Sequence, residues 1–157
     1  MPEVFPEEPD LEFVFEVHAR VSPPLELGEV DGLARRIVPI DGGTVDGPRL
    51  KGEVLAGGAD WQAIRPDGLT QILARYVIRA EDGTMIQVEN KGVRRAEPAT
   101  MKRLLAGERV DPSLVYFRAT PTFEAPEGPH GWLNENLFVS AGKRRPDGVE
   151  IRIYRVR

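Results

Sequence analysis

A carboxylate beside an indole, Asp60-Trp61, ends a glycine-bracketed run that starts at Gly47-Pro48-Arg49-Leu50-Lys51-Gly52 and passes through Gly57-Gly58-Ala59. An enclosed aspartate can give or take a proton, and an arginine beside it can stabilise a developing enolate or phenolate. Arg75 lies between Leu73 and Val77, with Tyr76 on the alternate face together with Ile72, Ala74 and Ile78. A buried arginine needs a carboxylate or several carbonyls, which makes Asp60 a candidate partner for Arg75. A second cluster reads Tyr116-Phe117-Arg118-Ala119-Thr120-Pro121-Thr122-Phe123-Glu124. Strand alternation places Tyr116, Arg118, Thr120 and Thr122 on one face, with Glu124 at its end. After a loop, Trp132-Leu133-Asn134-Glu135-Asn136-Leu137-Phe138 sets Asn134, Asn136 and Phe138 on a common face. Asp60 and Glu124 are the candidate acid/base residues. Trp61, Arg75, Tyr76, Arg118, Trp132, Asn134 and Asn136 are the candidate ligand contacts, if these faces line a lumen.

The same residues have a plainer reading. Arg75 with Asp60, and Arg118 with Glu124, could be ion pairs that lock strands, and Trp61 and Trp132 could be core or plug residues. Other chemistries lack their motifs. His18 and His130 have no metal-ligand spacing around them, so no metal is expected. No serine sits in a nucleophile elbow. The glycines at 28, 32 and 42–43 precede no helix that would make them a phosphate loop, so no nucleotide or other cofactor is expected.

The elements that must hold these residues are mostly strands. Asp-Gly, a strong hairpin signal because both residues tolerate positive φ, begins at Asp31, Asp41, Asp46, Asp67, Asp82 and Asp147. Asp82-Gly83 joins Gln71–Arg79 to Thr84–Glu89 as a hairpin. Further strands are expected near 12–21, 35–40, 48–56, 60–65, 114–122, 132–140 and 149–156, where Val149–Val156 alternates strictly. One helix is expected over Pro98–Leu105, ended at Gly107. About nine or ten strands predict an all-β chain, a closed antiparallel barrel with one short helix, because closure leaves no sheet edge unpaired.

Composition bounds the partners. The 157 residues suit one domain, read as a flexible segment 1–10 followed by a barrel over 11–157. A net charge of −4 and an isoelectric point near 5.3 argue against nucleic acid or an anionic membrane. No apolar run reaches a membrane-spanning length. The absence of cysteine and an acidic, proline-rich start give a cytoplasmic expectation. A small-molecule ligand is the expected partner, and a homodimer stays open.

The ordered succession Gly47-Pro48-Arg49-Leu50-Lys51-Gly52, Gly57-Gly58-Ala59-Asp60-Trp61, Asp67-Gly68, Ala74-Arg75-Tyr76, Asp82-Gly83, Tyr116-Phe117-Arg118, Phe123-Glu124 and Trp132-Leu133-Asn134 resembles the domain-of-unknown-function 3237 family. The resemblance covers about residues 11–157 and implies a single antiparallel β-barrel enclosing a cavity. Some fungal members look like cofactor-free cyclases of aromatic natural products, which implies proton transfer in the lumen. It supplies no agreed catalytic set. Three functions follow as expectations: a lumen that binds a small apolar or aromatic molecule, a cofactor-independent acid/base enzyme of cyclase or isomerase type using the same pocket, or a structural module whose barrel is filled.

Overall fold

The computed structural model describes residues 2, 3 and 5–157. Ten strands form one antiparallel sheet that closes on itself: β1 (Leu11–Val21), β2 (Leu25–Val30), β3 (Leu33–Asp46), β4 (Gly52–Val54), β5 (Gly58–Ile64), β6 (Thr70–Ala80), β7 (Met85–Arg95), β8 (Tyr116–Glu124), β9 (Leu137–Arg145) and β10 (Gly148–Val156). The staves run β1, β10, β9, β8, β7, β6, then β4 and β5 sharing one position, then β3, which pairs back to β1. The barrel therefore has eight staves, with β2 paired to β3 outside the ring. One helix, α1 (Pro98–Leu105), lies in the connection between β7 and β8.

The glycine run makes the divided stave possible. β4 and β5 both pair with β3 and β6, and Gly57, at φ +106°, turns the chain between them. A Cβ on Gly58 would stand 2.5 Å from the carbonyl oxygen of Arg75, so only glycine allows this approach.

Turn chemistry accounts for the differences from the sequence expectations. Asp31-Gly32 is a two-residue turn with both φ values positive, 53° and 79°, as a type I′ hairpin requires. The Asp82-Gly83 hairpin forms too, but there only the glycine is left-handed (φ 89°), while Asp82 Oδ1 accepts from Thr84 N at 3.0 Å. Asp41-Gly42 is no turn, because β3 runs through it to Asp46. β2 carries no periodicity signal since all six of its residues are exposed. The strand expected over 132–140 begins only at Leu137, and residues Gly131–Asn134 form a 3₁₀ turn. Asn134 enforces this by accepting from Ala125 N and donating to Ala125 O, at 2.9 and 2.7 Å.

The lumen is filled at one end. A bulge between Phe13 and Phe15 turns both Val14 and Phe15 inward, each with no exposed surface. Phe15, Phe123 and Phe138 then interlock edge to face, with centroids 5.8 and 5.0 Å apart. Trp132 leans on Phe138 at 5.8 Å and carries the Arg49 guanidinium 3.9 Å above its ring, covering that end.

Candidate functional site

Toward the other end the inward positions turn polar. β3 contributes Arg36, β5 contributes Asp60 and Gln62, β6 contributes Tyr76, and β7 contributes Asn90 and Arg94. Their convergence follows from register. Arg36 lies opposite Gln62, Asp60 opposite Ala74, and Ala74 opposite Asn90, so residues on successive staves share the inward face. These side chains and an apolar wall that includes Ile40, Ile72 and Phe117 bound a cavity of about 430 Å³. Its rim is made by residues 22–24, the end of α1 at 105–107 and the β9–β10 turn at 144–148.

Two sets of polar groups differ within this cavity. Arg36 Nε donates to Gln62 Oε1 at 2.7 Å, and Gln62 Nε2 donates to Asp60 Oδ2 at 2.7 Å. Asp60 Oδ1 also accepts from Leu73 N at 3.0 Å, so this chain of contacts is internally satisfied. By contrast Tyr76 Oη, Asn90 Oδ1, and Arg94 Nε and Nη2 are buried without a hydrogen-bond partner among the described residues. Asn90 is 1% exposed and Arg94 6%. Leaving such groups unmet costs about 1–3 kcal/mol each, more for a charged group.

Burial sets the protonation tendencies. It pushes the Asp60 carboxyl above its usual range, against the opposing hydrogen bonds from Gln62 and Leu73 and the charges of Arg94 and Arg36. It also raises the Tyr76 phenol, which keeps its proton. Burial, with repulsion from Arg36, brings the Arg94 guanidinium down to about 10.

The residues singled out from sequence divide sharply. Asp60 and Tyr76 line the cavity. Arg75 points outward and pairs with Glu89 at 3.1 Å, so the Arg75–Asp60 pair does not form. Trp61, next to Asp60 on an alternating strand, falls on the outer face at 44% exposure. β8 has the opposite parity from that expected: Phe117, Ala119, Pro121 and Phe123 are buried, whereas Arg118 and Glu124 are exposed. Arg118 reaches over the Tyr116 ring at 5.6 Å instead of pairing with Glu124. Trp132 belongs to the filled end, and Asn134 to the backbone of Ala125. Asn136 donates to Trp132 O at 2.7 Å and accepts from Arg155 at 3.0 Å, outside the cavity.

Sequence reasoning passed over Arg36, Gln62, Asn90 and Arg94. The signal for the β7 pair was present: Asp82-Gly83 fixes the hairpin register, so an inward Ala74 brings Asn90 inward and alternation along β7 brings Arg94 with it. For metal, Glu16, His18 and Glu150 approach within 4.8 Å of one another on β1 and β10. Glu150 pairs with Arg145 and with Lys143, and Glu16 meets Arg152 at 3.2 Å. This cluster is an ion-pair network.

Known proteins share this architecture. The family model described as "Protein of unknown function (DUF3237)" matches residues 9–156. A UPF0311 protein of Rhodopseudomonas palustris is 40% identical over 147 residues, covering 94% of this chain and 96% of its own. A crystal structure of a conserved protein of unknown function from Rhodopseudomonas palustris superposes with TM-score 0.93 at 38% identity, covering 97% of this chain and 100% of that one. A β-barrel-like protein from Acinetobacter baumannii superposes at 0.86 with 36% identity, over 99% and 100% of the two chains. A protein from Penicillium herquei described as an enzyme shares the fold at TM-score 0.74 and 19% identity, over 99% and 100%.

Proposed function

The chain belongs to the DUF3237 family of proteins of unknown function, and we propose that its barrel binds a small molecule with an apolar or aromatic body in the polar half of the lumen. The observation that carries this reading is that Tyr76, Asn90 and Arg94, each with a buried, unpartnered polar atom among the described residues, line one cavity. A barrel serving only as a structural module would gain by replacing such groups with apolar ones of similar shape. Here three are kept in a cavity that also has an apolar wall of Ile40, Ile72 and Phe117, the composition of a ligand pocket.

Native mass spectrometry of the freshly purified protein tests the reading. The expected result is a mass excess from a retained small molecule that is released on denaturation. A bare protein mass, together with no uptake of an aromatic probe such as 2-naphthoate or 2-naphthamide, would overturn it.

A second reading, acid/base catalysis in the same cavity, is favoured by Asp60. Burial raises its carboxyl, and the Arg94 guanidinium offers unpartnered donors in the same cavity for a developing oxyanion. Its test is deuterium uptake by the retained molecule in D₂O. Catalysis predicts exchange at carbon in the wild type and none in Asp60→Asn, whereas no exchange in either leaves a binding protein.

A further inference from the structure

The inward cations and anions of the cavity do not balance. Arg36, Arg94 and Arg144 line it, against Asp60 on the wall and Asp147 at the rim; Arg145, also lining, pairs with Glu150. Arg36 is the better served of the two buried arginines. It donates to Gln62, which carries its hydrogen bond on to Asp60, and Glu26 stands 4.0 Å from its Nη1. Arg144 donates to the carbonyl of Leu104 at 2.8 Å, tying the β9 end to α1.

Arg94 has no such arrangement. Its Cζ lies 5.7 Å from the Phe117 ring centroid, and its Nε and Nη2 meet no acceptor among the described residues. Those two nitrogens form one edge of the guanidinium fork, the edge that binds a carboxylate with two parallel hydrogen bonds. Asn90 Oδ1 and Tyr76 Oη are unmet on the same lumen wall. An ordinary neutral apolar ligand would leave the Arg94 edge as unsatisfied as before.

We propose that the lumen ligand bears an anionic oxygen group that sits on the Nε–Nη2 edge of Arg94, with its apolar or aromatic body along Ile72 and Phe117. This rests on the reading that the lumen binds a small molecule, and it names the chemical class. Burial and repulsion from Arg36 lower Arg94, and an anion on that edge would oppose the lowering.

The test compares 2-naphthoate with its neutral isostere 2-naphthamide by calorimetry at pH 7, on wild type, Arg94→Met and Arg94→Lys, each checked for barrel folding by circular dichroism. The wild type should prefer the naphthoate by roughly tenfold or more, the scale of a charge-assisted hydrogen-bond pair. Arg94→Met should bring the two probes within about twofold of each other, and Arg94→Lys should keep part of the preference. Equal binding of both probes to the wild type, or a preference that survives in Arg94→Met, would overturn the anion assignment while leaving lumen binding intact. Binding of neither probe would overturn both.

Discussion

The two ends of one lumen obey the same strand alternation and carry opposite chemistry. At the filled end Phe15, Phe123 and Phe138 close the barrel with edge-to-face contacts. At the other end the inward positions of β3, β5, β6 and β7 hold Arg36, Asp60, Gln62, Tyr76, Asn90 and Arg94 around a cavity of about 430 Å³. Along β6, Ala74, Tyr76 and Ile78 all belong to the packed core cluster, but only Ala74 and Tyr76 also line the cavity. The polar end keeps buried, unpartnered groups that folding alone would not favour.

Substitutions that treat the two ends alike should therefore give unlike results. The largest effect is expected from Phe123→Ala, which opens a void between Phe15 and Phe138. Chemical denaturation should show a loss of about 3–5 kcal/mol. A loss under about 1 kcal/mol would mean that the filled end collapses around the void and does not anchor the fold.

Arg94→Met is the mirror experiment. It removes a buried charge that has no ion-pair partner among the described residues, while keeping most of the side-chain volume. Denaturation should show stability unchanged or raised by about 1–3 kcal/mol, with the retained molecule lost. A marked destabilisation would make Arg94 a structural residue and blur the contrast between the two ends.

The fold was legible in the sequence because strand alternation and turn residues are local. Val149–Val156 and the β6–β7 hairpin could be read directly, and Pro98–Leu105 with Gly107 gave the helix. The site was legible only in part. Asp60 and Tyr76 lie where a lumen was expected, but Arg75, Arg118 and Glu124 lie on the outer face. The reason is parity: period-two alternation says which residues share a face and not which face is inside. β8 illustrates it, since Tyr116-Arg118-Thr120 and Phe117-Ala119-Pro121 alternate equally well, and burial of Phe117 and Phe123 decided the matter. Asn134 and Asn136 failed for a different reason. Their amides bond to nearby backbone, Asn134 to Ala125 and Asn136 to Trp132, and take the chain out of strand geometry.

A smaller effect, with a definite sign, is expected from pH. The folded-state Asp60 carboxyl is raised above its ordinary 3.8, so the native state binds the extra proton more readily than the unfolded chain. Asp60 then costs no stability below its unfolded value, and it weakens the fold as pH rises through the folded value. Asp60→Asn should remove that slope. In paired denaturation series the variant should gain on the wild type as pH rises above the ordinary 3.8, and a gap that widens toward low pH instead would contradict burial as the dominant influence on Asp60.

The smallest effect belongs to the outer face. Glu124→Gln should alter stability by no more than about 0.5 kcal/mol and leave the retained mass in native spectra unchanged. Loss of the retained molecule in this variant would shift the site away from the lumen.

The most direct test of the contrast is a titration of 2-naphthoate into ¹⁵N-labelled protein, followed by the backbone amide resonances. Binding in the polar half predicts shifts at Gln62, Ile72, Ala74 and Asn90, with Val54, Ile78 and Ile86 unmoved. Shifts confined to the outer faces of β6 and β8, around Arg75 and Arg118, would contradict the account.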